Sequence, residues 1–284
     1  MAMSPIKPVR LVIDCDTAGD DCVSLLIACL HPNIQLEAVT VCAGNVAFDQ
    51  EIINTLYTLE RSGVGAQVPV YAGCRKPLLR EWQSASFVHG EDGMGNSNFP
   101  LPKGKPASGH AVDALVDIVK KAPGEITILA QAPLTNIALA AFLHPEFVSL
   151  IKDLYIMGGT FYCQGNMTPA AEYNFFIDPE AAKMVFSAGF RKIHVFDWGV
   201  SNRCCYFSPT ELQQVKALGT DLSRFFSDII RTNLQFNEHH GRSGYVATDS
   251  AVTALIAEPG LSRGWTPCHV DIETNSAMNR GACI

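Results

Sequence analysis

The stretch that decides the fold is Leu11-Val-Ile-Asp-Cys-Asp-Thr-Ala-Gly-Asp-Asp21. It opens with apolar residues typical of a short strand buried in a parallel sheet. If the strand continues through Asp14, the side chains of Asp14 and Asp16 point to the same side, because strand side chains alternate with period two. Gly19 allows a turn, after which apolar residues recur at helical spacing. These are Val23, Leu26, Ile27 and Leu30. The stretch therefore predicts a strand that leads directly into a helix.

Four carboxylates occupy this junction, namely Asp14, Asp16, Asp20 and Asp21. Open α/β sheets bind their ligands outside the carboxyl ends of the strands, which is where the junction lies. Crowded carboxylates repel one another and shift one another's pKa unless a cation offsets their charge. Because all four are oxygen donors, calcium or magnesium suits them better than zinc. The simpler interpretation is a helix cap with acids in a solvated turn, but a cap needs one aspartate and not four.

The composition limits the partners and the compartment. The chain has 284 residues, with 21 Lys+Arg, 28 Asp+Glu and a net charge of −7. An acidic balance without a basic cluster argues against nucleic acid or an anionic membrane as a partner. Residues 1–10 lack the long apolar region of a signal peptide, and no apolar stretch approaches the roughly 18 residues of a spanning helix. We expect a cytoplasmic protein that forms one domain over residues 1–284.

Strand-like and helix-like segments alternate through most of the chain. The other predicted strands are 35–42, 68–72, 126–130, 154–157, 193–196 and 269–272. The predicted helices are 20–30, 48–61, 110–121, one from 133, one from 179 with Asp178 as its cap, 209–218, 222–237, and 251–257 capped by residues 248–250. Residues 73–109 show little regularity, as in a functional loop. The alternation predicts an α/β fold with a mostly parallel, doubly wound sheet covered by helices on both faces.

The ten cysteines are interpreted as reduced structural thiols. Cys15, Cys22, Cys29 and Cys42 lie within apolar elements, where a free cysteine behaves as a small hydrophobic residue. Cys204-Cys205 are adjacent, and the chain has no paired Cys-x-x-Cys arrangement for zinc. We therefore expect neither disulfides nor a cysteine-bound metal.

Further polar motifs follow the aspartate cluster along the chain. They are Ala43-Gly-Asn45, His89-Gly-Glu-Asp-Gly-Met-Gly95, Pro133-Leu-Thr-Asn136, Ile156-Met-Gly-Gly159, Glu172-Tyr-Asn174 and Asp178-Pro-Glu-Ala-Ala182. Each is weak alone, since an asparagine after a glycine is usually a turn residue. Together they span nearly the whole chain in order and resemble the nucleoside hydrolases of the inosine-uridine preferring type. The resemblance implies a modified Rossmann-like fold, a bound Ca²⁺, and hydrolysis of the N-glycosidic bond of ribonucleosides to base and ribose. It also implies a homodimer or homotetramer.

The same resemblance implies roles for individual residues. Asp16, Asp21 and Asp249 would bind Ca²⁺ through their side chains, and Gln131 through its backbone carbonyl. Asp16 would also take the proton of the attacking water, with Asn45 close by. A water attack of this kind suits a bond that breaks through an oxocarbenium-like sugar.

The ribose would be held through its hydroxyl groups. By resemblance, Asp20, Asn174 and Asp249 would bind the 2′ and 3′ hydroxyls. Asn166, Glu172 and the backbone at Met157 would bind the 5′ hydroxyl. A site this rich in hydrogen bonds discriminates against sugars that lack a hydroxyl.

Three positions depart from the family pattern. Thr17-Ala18 replaces the usual Pro-Gly, which changes the turn but keeps every carboxylate. Thr248 stands where many members have a histidine that protonates the leaving base, and a threonine hydroxyl is a poor acid at neutral pH. The chain ends at Ile284, whereas members run on by some tens of residues to a final strand and helix. We therefore expect a truncated member or a fragment.

Other histidines are candidates for the missing acid. His239 and His240 end a predicted helix that, by resemblance, borders the base pocket, and His89 lies in the Gly-rich loop. A histidine, with an ordinary pKa of about 6.5, can donate a proton near neutral pH. We place His240 ahead of His239, with His89 as a further candidate. The alternative is that the pair simply caps the C-terminus of the helix, where positive charge is favoured.

Two other functions fit part of the pattern. Haloacid-dehalogenase-type phosphatases also open with hydrophobic-Asp-x-Asp, but there Thr or Val stands four residues after the first aspartate, where this chain has Ala18. The pair Asp20-Asp21 also follows too soon. The second is a degenerate member that binds nucleoside or calcium without turnover. For the base, His89 resembles the subgroup that handles uridine and inosine, whereas the purine-specific subgroup usually has Trp at the Thr248 position. We expect a broad or pyrimidine-leaning preference.

Overall fold

A parallel sheet forms the centre of the protein in the computed structural model, which describes residues 7–284. Its six strands are Val9–Cys15 (β1), Ile34–Val41 (β2), Val70–Ala72 (β3), Ile126–Ala130 (β4), Asp153–Met157 (β5) and Ile193–Phe196 (β6). They lie in the order β3-β2-β1-β4-β5-β6, and each neighbouring pair is parallel. The expectations for residues 1–6 lie outside the described residues.

This strand order determines where a ligand can bind. The chain winds outward from β1 through β2 to β3, then returns to the other side of β1 and continues through β4, β5 and β6. The winding direction therefore reverses between β1 and β4. In open α/β sheets the crevice at such a reversal, outside the carboxyl ends of the strands, is the ligand site. The residues that follow β1, β2, β4 and β5 all meet there.

Thirteen α-helices lie within the described part of the chain. They are Gly19–Leu30 (α1), Phe48–Arg61 (α2), Ser86–His89 (α3), Ala111–Lys121 (α4), Thr135–Leu143 (α5), Phe147–Leu150 (α6), Tyr173–Ile177 (α7), Pro179–Ser187 (α8), Trp198–Cys204 (α9), Pro209–Ala217 (α10), Asp221–Ile229 (α11), Arg231–His239 (α12) and Thr248–Ala257 (α13). Two short 3₁₀ helices, Gly65–Gln67 and Pro259–Leu261, complete them.

Helices cover both faces of the sheet. Along β1, Val12 joins a core cluster with α4, α5, α6 and α8, whereas Leu11 and Ile13 join a second cluster with α1, α2 and α13. This split follows from the period-two alternation of strand side chains. Burial on both faces explains why the strand is apolar throughout instead of alternating with polar residues. The predicted doubly wound α/β fold is confirmed.

Several predicted elements agree with the structure to the residue. The strands 126–130 and 193–196 and the helix 48–61 have the predicted bounds. Asp178 caps α8 as predicted, since its Oδ1 accepts a hydrogen bond from the backbone N–H of Ala181 at 3.1 Å. Proline at the first position of this helix lacks only an N–H that would have no helical partner.

Three predicted elements are wrong. The helix 222–237 is two helices, α11 and α12, which meet at Ile230 without a proline or glycine to mark the break. The strand 269–272 is reduced to a single bridge between Ile272 and Cys283, because the preceding segment is exposed and has no neighbouring strand in the described chain. Residues 248–250 do not cap α13 but form its first turn, after Ala247.

A small antiparallel sheet follows the main one. It pairs Tyr206–Phe207 (β7) with Tyr245–Val246 (β8), and α10, α11 and α12 lie between these strands in the chain. The region from α9 to β8 therefore forms a subdomain-like insertion beside the carboxyl edge of the main sheet. We call residues 198–246 the insertion.

Residues 7–284 contain neither a disulfide bond nor a helix suited to cross a membrane. All ten cysteines are free, and Cys15, Cys22 and Cys42 are buried, in agreement with their interpretation as small hydrophobic residues. None of the helices in this part of the chain has the length and apolar character needed to cross a membrane.

Candidate active site

The site begins at the junction of β1 and α1. Asp16 follows the last residue of β1, and Asp20 and Asp21 lie in the first turn of α1. Asp21 Oδ2 accepts a hydrogen bond from the backbone N–H of Ala18 at 3.0 Å. A carboxylate at this position is favoured because the helix N-terminus carries partial positive charge. The orientation of Asp21 is thus set in part by a hydrogen bond within the β1–α1 junction itself.

Asp14 has a different role from the other three aspartates. Its Oδ1 accepts hydrogen bonds from Thr40 Oγ1 at 2.6 Å and from Asn136 Nδ2 at 2.8 Å. These bonds tie β1 to β2 and to α5 beneath the site. Burial raises the pKa of Asp14 to about 7, and the two hydrogen bonds oppose that rise. Asp14 therefore supports the junction from below.

A close approach between two loops positions Asp16. Its Oδ2 accepts a hydrogen bond from the backbone N–H of Asn45 at 3.0 Å, and Asn45 Nδ2 donates to the Asp16 carbonyl at 3.2 Å. Only glycine fits at residue 44, because a Cβ there would lie 1.9 Å from Asp16 Oδ2. The Gly44-Asn45 turn is thus part of the site, as the resemblance implied for Asn45.

Gln131 fixes Asp21 from the end of β4. Gln131 Nε2 donates to Asp21 Oδ1 at 2.8 Å, and Gln131 Oε1 accepts from Ser24 Oγ at 2.7 Å. Its backbone carbonyl accepts from Asn174 Nδ2 at 3.3 Å. The resemblance gave a role only to this carbonyl. The structure shows in addition that the Gln131 side chain positions Asp21.

Asp249 joins the cluster from the far end of the chain. Oxygen atoms of Asp20, Asp21 and Asp249 all lie within 4.8 Å of one another. Asp249 is in the first turn of α13, which packs against α1, and it makes no capping hydrogen bond. Its carboxylate is therefore free to face the other acids. This trio includes Asp20, whereas the predicted metal set named Asp16 instead.

Burial and mutual repulsion raise the pKa of these carboxyl groups. The pKa of Asp21 rises to about 7, mainly through burial and then through the charge of Asp20. Burial followed by the charge of Asp21 raises the pKa of Asp16 well above its ordinary value. Asp249 is raised likewise, by burial and then by Asp20 and Asp21. Without a positive partner, the site pays a free-energy cost to ionise these groups together.

A hard divalent cation fits this arrangement. Asp16 Oδ1 and Asp20 Oδ1 are buried and have no hydrogen-bond partner within the described residues. Buried carboxylate oxygens of this kind need a donor or a cation. The available atoms are carboxylate and carbonyl oxygens, which are the preferred ligands of calcium and magnesium. Asp16, Asp20, Asp21 and Asp249 form what we call the acidic floor.

One wall beside the floor consists of backbone groups held by side chains. Asn174 Nδ2 donates to the carbonyl of Met157 at 3.2 Å, in addition to that of Gln131. Glu172 is buried, caps α7, and accepts a hydrogen bond from the N–H of Gly159 at 2.9 Å. Asn166 Oδ1 accepts from the N–H of Tyr173 at 2.8 Å. Burial raises the pKa of Glu172 to about 7.

The two candidate histidines differ in environment. His89 ends α3, is partly buried close to Gly19, and has its pKa lowered by burial. His240 is exposed at the C-terminus of α12, where its Nδ1 lies 2.8 Å from the carbonyl of Phe236. If Nδ1 donates there, Nε2 is the nitrogen that faces away from the helix. His239 does not line the cavity described next.

One cavity of about 860 Å³ brings most of the predicted residues together. It is lined by Asp20, Asn45, His89, Gln131, Met157, Asn166, Glu172, Asn174, His240, Thr248 and Asp249. Asp16 and Asp21 lie fully buried beneath its surface. Residues of the insertion, including Trp198, Arg203 and Phe236, form the opposite wall. The strand ends and the insertion therefore enclose a space between them.

Sequence reasoning missed several supporting residues. Glu51 Oε1 accepts from the N–H groups of Gly44 and Val46, at 3.0 and 3.1 Å, and so holds the loop that contacts Asp16. Tyr173 Oη donates to the Gly44 carbonyl at 2.6 Å. Tyr245 lines the cavity from β8. Glu51 had no signal in the sequence, because it lies on the helix α2 among other polar residues.

The comparisons with known proteins agree with this geometry. Residues 11–284 match the family described as inosine-uridine preferring nucleoside hydrolase. The chain is 31% identical over 276 residues to the pyrimidine-specific ribonucleoside hydrolase RihB of Escherichia coli (strain SE11), covering 96% of this chain and 87% of that protein.

Solved structures give the same result. A plant nucleoside hydrolase, the PpNRh1 enzyme, superposes with a TM-score of 0.92 at 30% identity, over 97% of this chain and 86% of that one. A purine-preferring ribonucleoside hydrolase from Gardnerella vaginalis superposes with a TM-score of 0.89 at 26% identity, over 96% and 87% of the two chains. Because the match extends over nearly the whole sequence, the chain belongs to the inosine-uridine preferring nucleoside hydrolase family.

Proposed function

We propose that this chain is a calcium-dependent ribonucleoside hydrolase that cleaves the N-glycosidic bond of inosine and uridine type substrates to free base and ribose. The observation that carries the proposal is the acidic floor: four buried or half-buried aspartates with two unpartnered oxygens, at the base of a cavity large enough for a nucleoside. The family to which the chain belongs supports the reaction class.

The calcium ion would be held by the floor. We propose Asp16, Asp21 and Asp249 as side-chain ligands and the carbonyl of Gln131 as a further one, with Asp20 close enough to contribute. When bound, the ion would lower the pKa of a water molecule and would grip ribose hydroxyls. Its charge would also remove the repulsion that raises the pKa of these carboxyl groups.

Asp16 is the proposed general base. Its Oδ2 is occupied by the N–H of Asn45, whereas Oδ1 is free of any partner in the described structure. Oδ1 is therefore the oxygen that would accept a proton from the attacking water. Asn45 and the absence of a Cβ at Gly44 hold the carboxylate in place for this step.

The ribose would lie across the floor and the wall described above. We propose Asp20, Asn174 and Asp249 for the 2′ and 3′ hydroxyls, and Asn166, Glu172 and the backbone of Met157 for the 5′ hydroxyl. All of these residues line the cavity. Groups that accept hydrogen bonds from each hydroxyl would favour ribose over deoxyribose, because a missing hydroxyl leaves buried partners unpaired.

Departure of the base needs another group, because Thr248 lines the cavity in place of an acid. We propose His240 as the leaving-group acid, with a proton on Nε2 when the ring is charged. His89 is the second candidate, and because burial lowers its pKa it would act more readily as a neutral hydrogen-bond partner of the base. A pyrimidine-leaning or broad base preference is proposed on the likeness to RihB, which is pyrimidine-specific.

We also propose that residues 1–284 form one domain, that the protein assembles as a homodimer or homotetramer, and that it acts in the cytoplasm. The last point rests on its ten unpaired cysteines, which persist in a reducing compartment.

Turnover of uridine and inosine, measured as free ribose with calcium present, tests the proposal. We expect ribose release from both substrates, lost in Asp249→Asn but retained in Asp117→Asn, an exposed aspartate on α4. Tight binding of nucleoside without ribose release would instead support the degenerate, binding-only alternative. Hydrolysis of p-nitrophenyl phosphate without ribose release would point to a phosphatase.

A further inference from the structure

Tyr245 has a buried hydroxyl that the reaction described so far does not use. The residue lies on β8 and is only 2% exposed. Its Oη is one of six buried side-chain oxygens or nitrogens with no hydrogen-bond partner in residues 7–284, and the other five are carboxylate oxygens. Tyr245 therefore supplies the single donor in that group. A buried hydroxyl without a partner is unfavourable, so its presence calls for a partner that arrives with a ligand.

The surroundings of Tyr245 fix its ring next to the acidic floor. The ring packs edge-on against Phe226 at a centroid distance of 5.9 Å, in an apolar cluster that includes Cys22 and Ile229. Its backbone is paired with Phe207 of β7. The residue also lines the cavity together with Asp20 and Asp249. Its position is therefore set by packing on several sides, while its hydroxyl remains unbonded.

Charge keeps the hydroxyl in its donor form. Burial raises the pKa of Tyr245 well above its ordinary value, and the carboxylates of Asp20 and Asp249 raise it further. Asp20 lines the same cavity as Tyr245, and Asp20 Oδ1 is likewise buried without a hydrogen-bond partner in residues 7–284. Tyr245 Oη can donate a hydrogen bond and Asp20 Oδ1 can accept one, but these two atoms do not bond to each other in this structure.

A ligand group that both donates and accepts would satisfy both atoms. A ribose hydroxyl has this property, since it can donate to Asp20 Oδ1 while it accepts from Tyr245 Oη. We propose that Tyr245 is a substrate-binding residue whose hydroxyl donates a hydrogen bond to the ribose hydroxyl held by Asp20. The proposal rests on the proposed function and adds a residue that selects ribonucleosides over one class of deoxynucleosides.

The test compares Tyr245→Phe with wild-type protein on three substrates: uridine, 2′-deoxyuridine and 3′-deoxyuridine. Loss of one neutral hydrogen bond is worth about tenfold in kcat/KM. We expect this loss on uridine and on one deoxynucleoside, and no loss on the deoxynucleoside that lacks the contacted hydroxyl. Equal losses on all three substrates, or no loss on uridine, would overturn the proposal. Tyr57→Phe is the matched control, because Tyr57 packs against the same apolar cluster but does not line this cavity.

Thermal melting of the free protein separates binding from a structural role. Phenylalanine removes only an unpartnered hydroxyl, so Tyr245→Phe should melt at the same temperature as wild type or higher. A lower melting temperature with equal kinetic losses would show that the hydroxyl serves the fold. If wild-type protein hydrolyses no nucleoside, the proposed function fails. Dissociation constants of the same three nucleosides, measured by calorimetry, then test the hydroxyl contact: Tyr245→Phe should weaken the binding of uridine and of one deoxynucleoside, and leave unchanged the binding of the deoxynucleoside that lacks the contacted hydroxyl.

Discussion

The acidic floor and the insertion face each other across the cavity, yet they are built in different ways. Three of the four floor residues are buried and Asp20 is half-buried, and backbone N–H groups bond directly to two of them, from Asn45 to Asp16 and from Ala18 to Asp21. In the insertion, polar side chains such as Arg203, Asn237 and His240 reach the cavity from exposed or half-exposed positions. A floor so constrained suits chemistry that needs fixed geometry, whereas a looser wall suits selection among bases.

Removal of the proposed calcium ion should have the largest effect, because the carboxylates of the floor would then have no positive partner. We expect a chelator to abolish ribose release and to lower the melting temperature, and added calcium to restore both. A ligand present at about a thousandfold over its Kd stabilises by about 4 kcal/mol, which is on the order of 10 °C for a chain of this size. If the chelator changes neither the rate of ribose release nor the melting temperature, the proposed metal site is wrong.

The pH dependence of the chelated protein sharpens this prediction. In the folded, metal-free state the pKa of Asp21 and that of Glu172 are about 7, above the ordinary values near 4 that apply after unfolding. The folded state therefore binds more protons between these values, and its free energy of unfolding falls as pH rises through that window. We expect a lower melting temperature at about pH 8 than at about pH 6 with chelator, and a smaller difference with calcium. Greater stability of the chelated protein at the higher pH would contradict the argument.

Asp16→Asn tests the floor as a source of chemistry. The amide can still coordinate weakly but cannot accept a proton, so kcat should fall by about 10² to 10⁴. The melting temperature should change little, because the bond from the N–H of Asn45 can be kept. Ribose release at a near-native rate would assign the role of base to another residue.

Gly44→Ala tests how strictly the floor is constrained. The added Cβ would lie 1.9 Å from Asp16 Oδ2, so either the carboxylate or the loop must move. A displacement of about 1 Å at a reacting group costs about 10² in rate. Gly260→Ala is the matched control, since a Cβ there has no neighbour within 4 Å. Similar kinetics for the two variants would show that the floor tolerates movement.

His240→Ala tests the insertion, with the effect that depends most on the substrate. We expect about a 10²-fold loss on inosine, at the low end of general acid catalysis, and little loss on p-nitrophenyl riboside, whose leaving group needs no proton. His239→Ala, one residue away but outside the cavity, is the control, and His89→Ala tests the second candidate. Equal losses on both substrates would assign the histidine to binding or structure.

The floor and the insertion also differ in how well the sequence predicted them. The doubly wound fold, the family and the enzyme class are confirmed, because apolar runs at strand spacing and short polar motifs at strand ends are local signals. Asp16 follows the strand β1 directly, and Asp20 and Asp21 come in the first turn of the helix after it. The insertion gave fewer such signals. Its helix α10 was predicted, but α11 and α12 were predicted as one helix, and the strand β8 was not predicted.

The amino-acid sequence alone determined the parallel α/β fold, the aspartate cluster at the end of β1, and the capping of α8 by Asp178. The aspartate cluster and the cap depend on neighbours within a few residues, whose geometry the backbone fixes, and the fold class follows from the alternation of local strand and helix signals. Only the tertiary structure decided that Asp249 faces Asp20 and Asp21 instead of capping α13, that Glu51 holds the Gly44 loop, and that Tyr245 places an unpaired hydroxyl beside the floor. These contacts join residues up to some 230 positions apart through the packing of whole helices and strands, and no local pattern encodes which side chains such packing brings together.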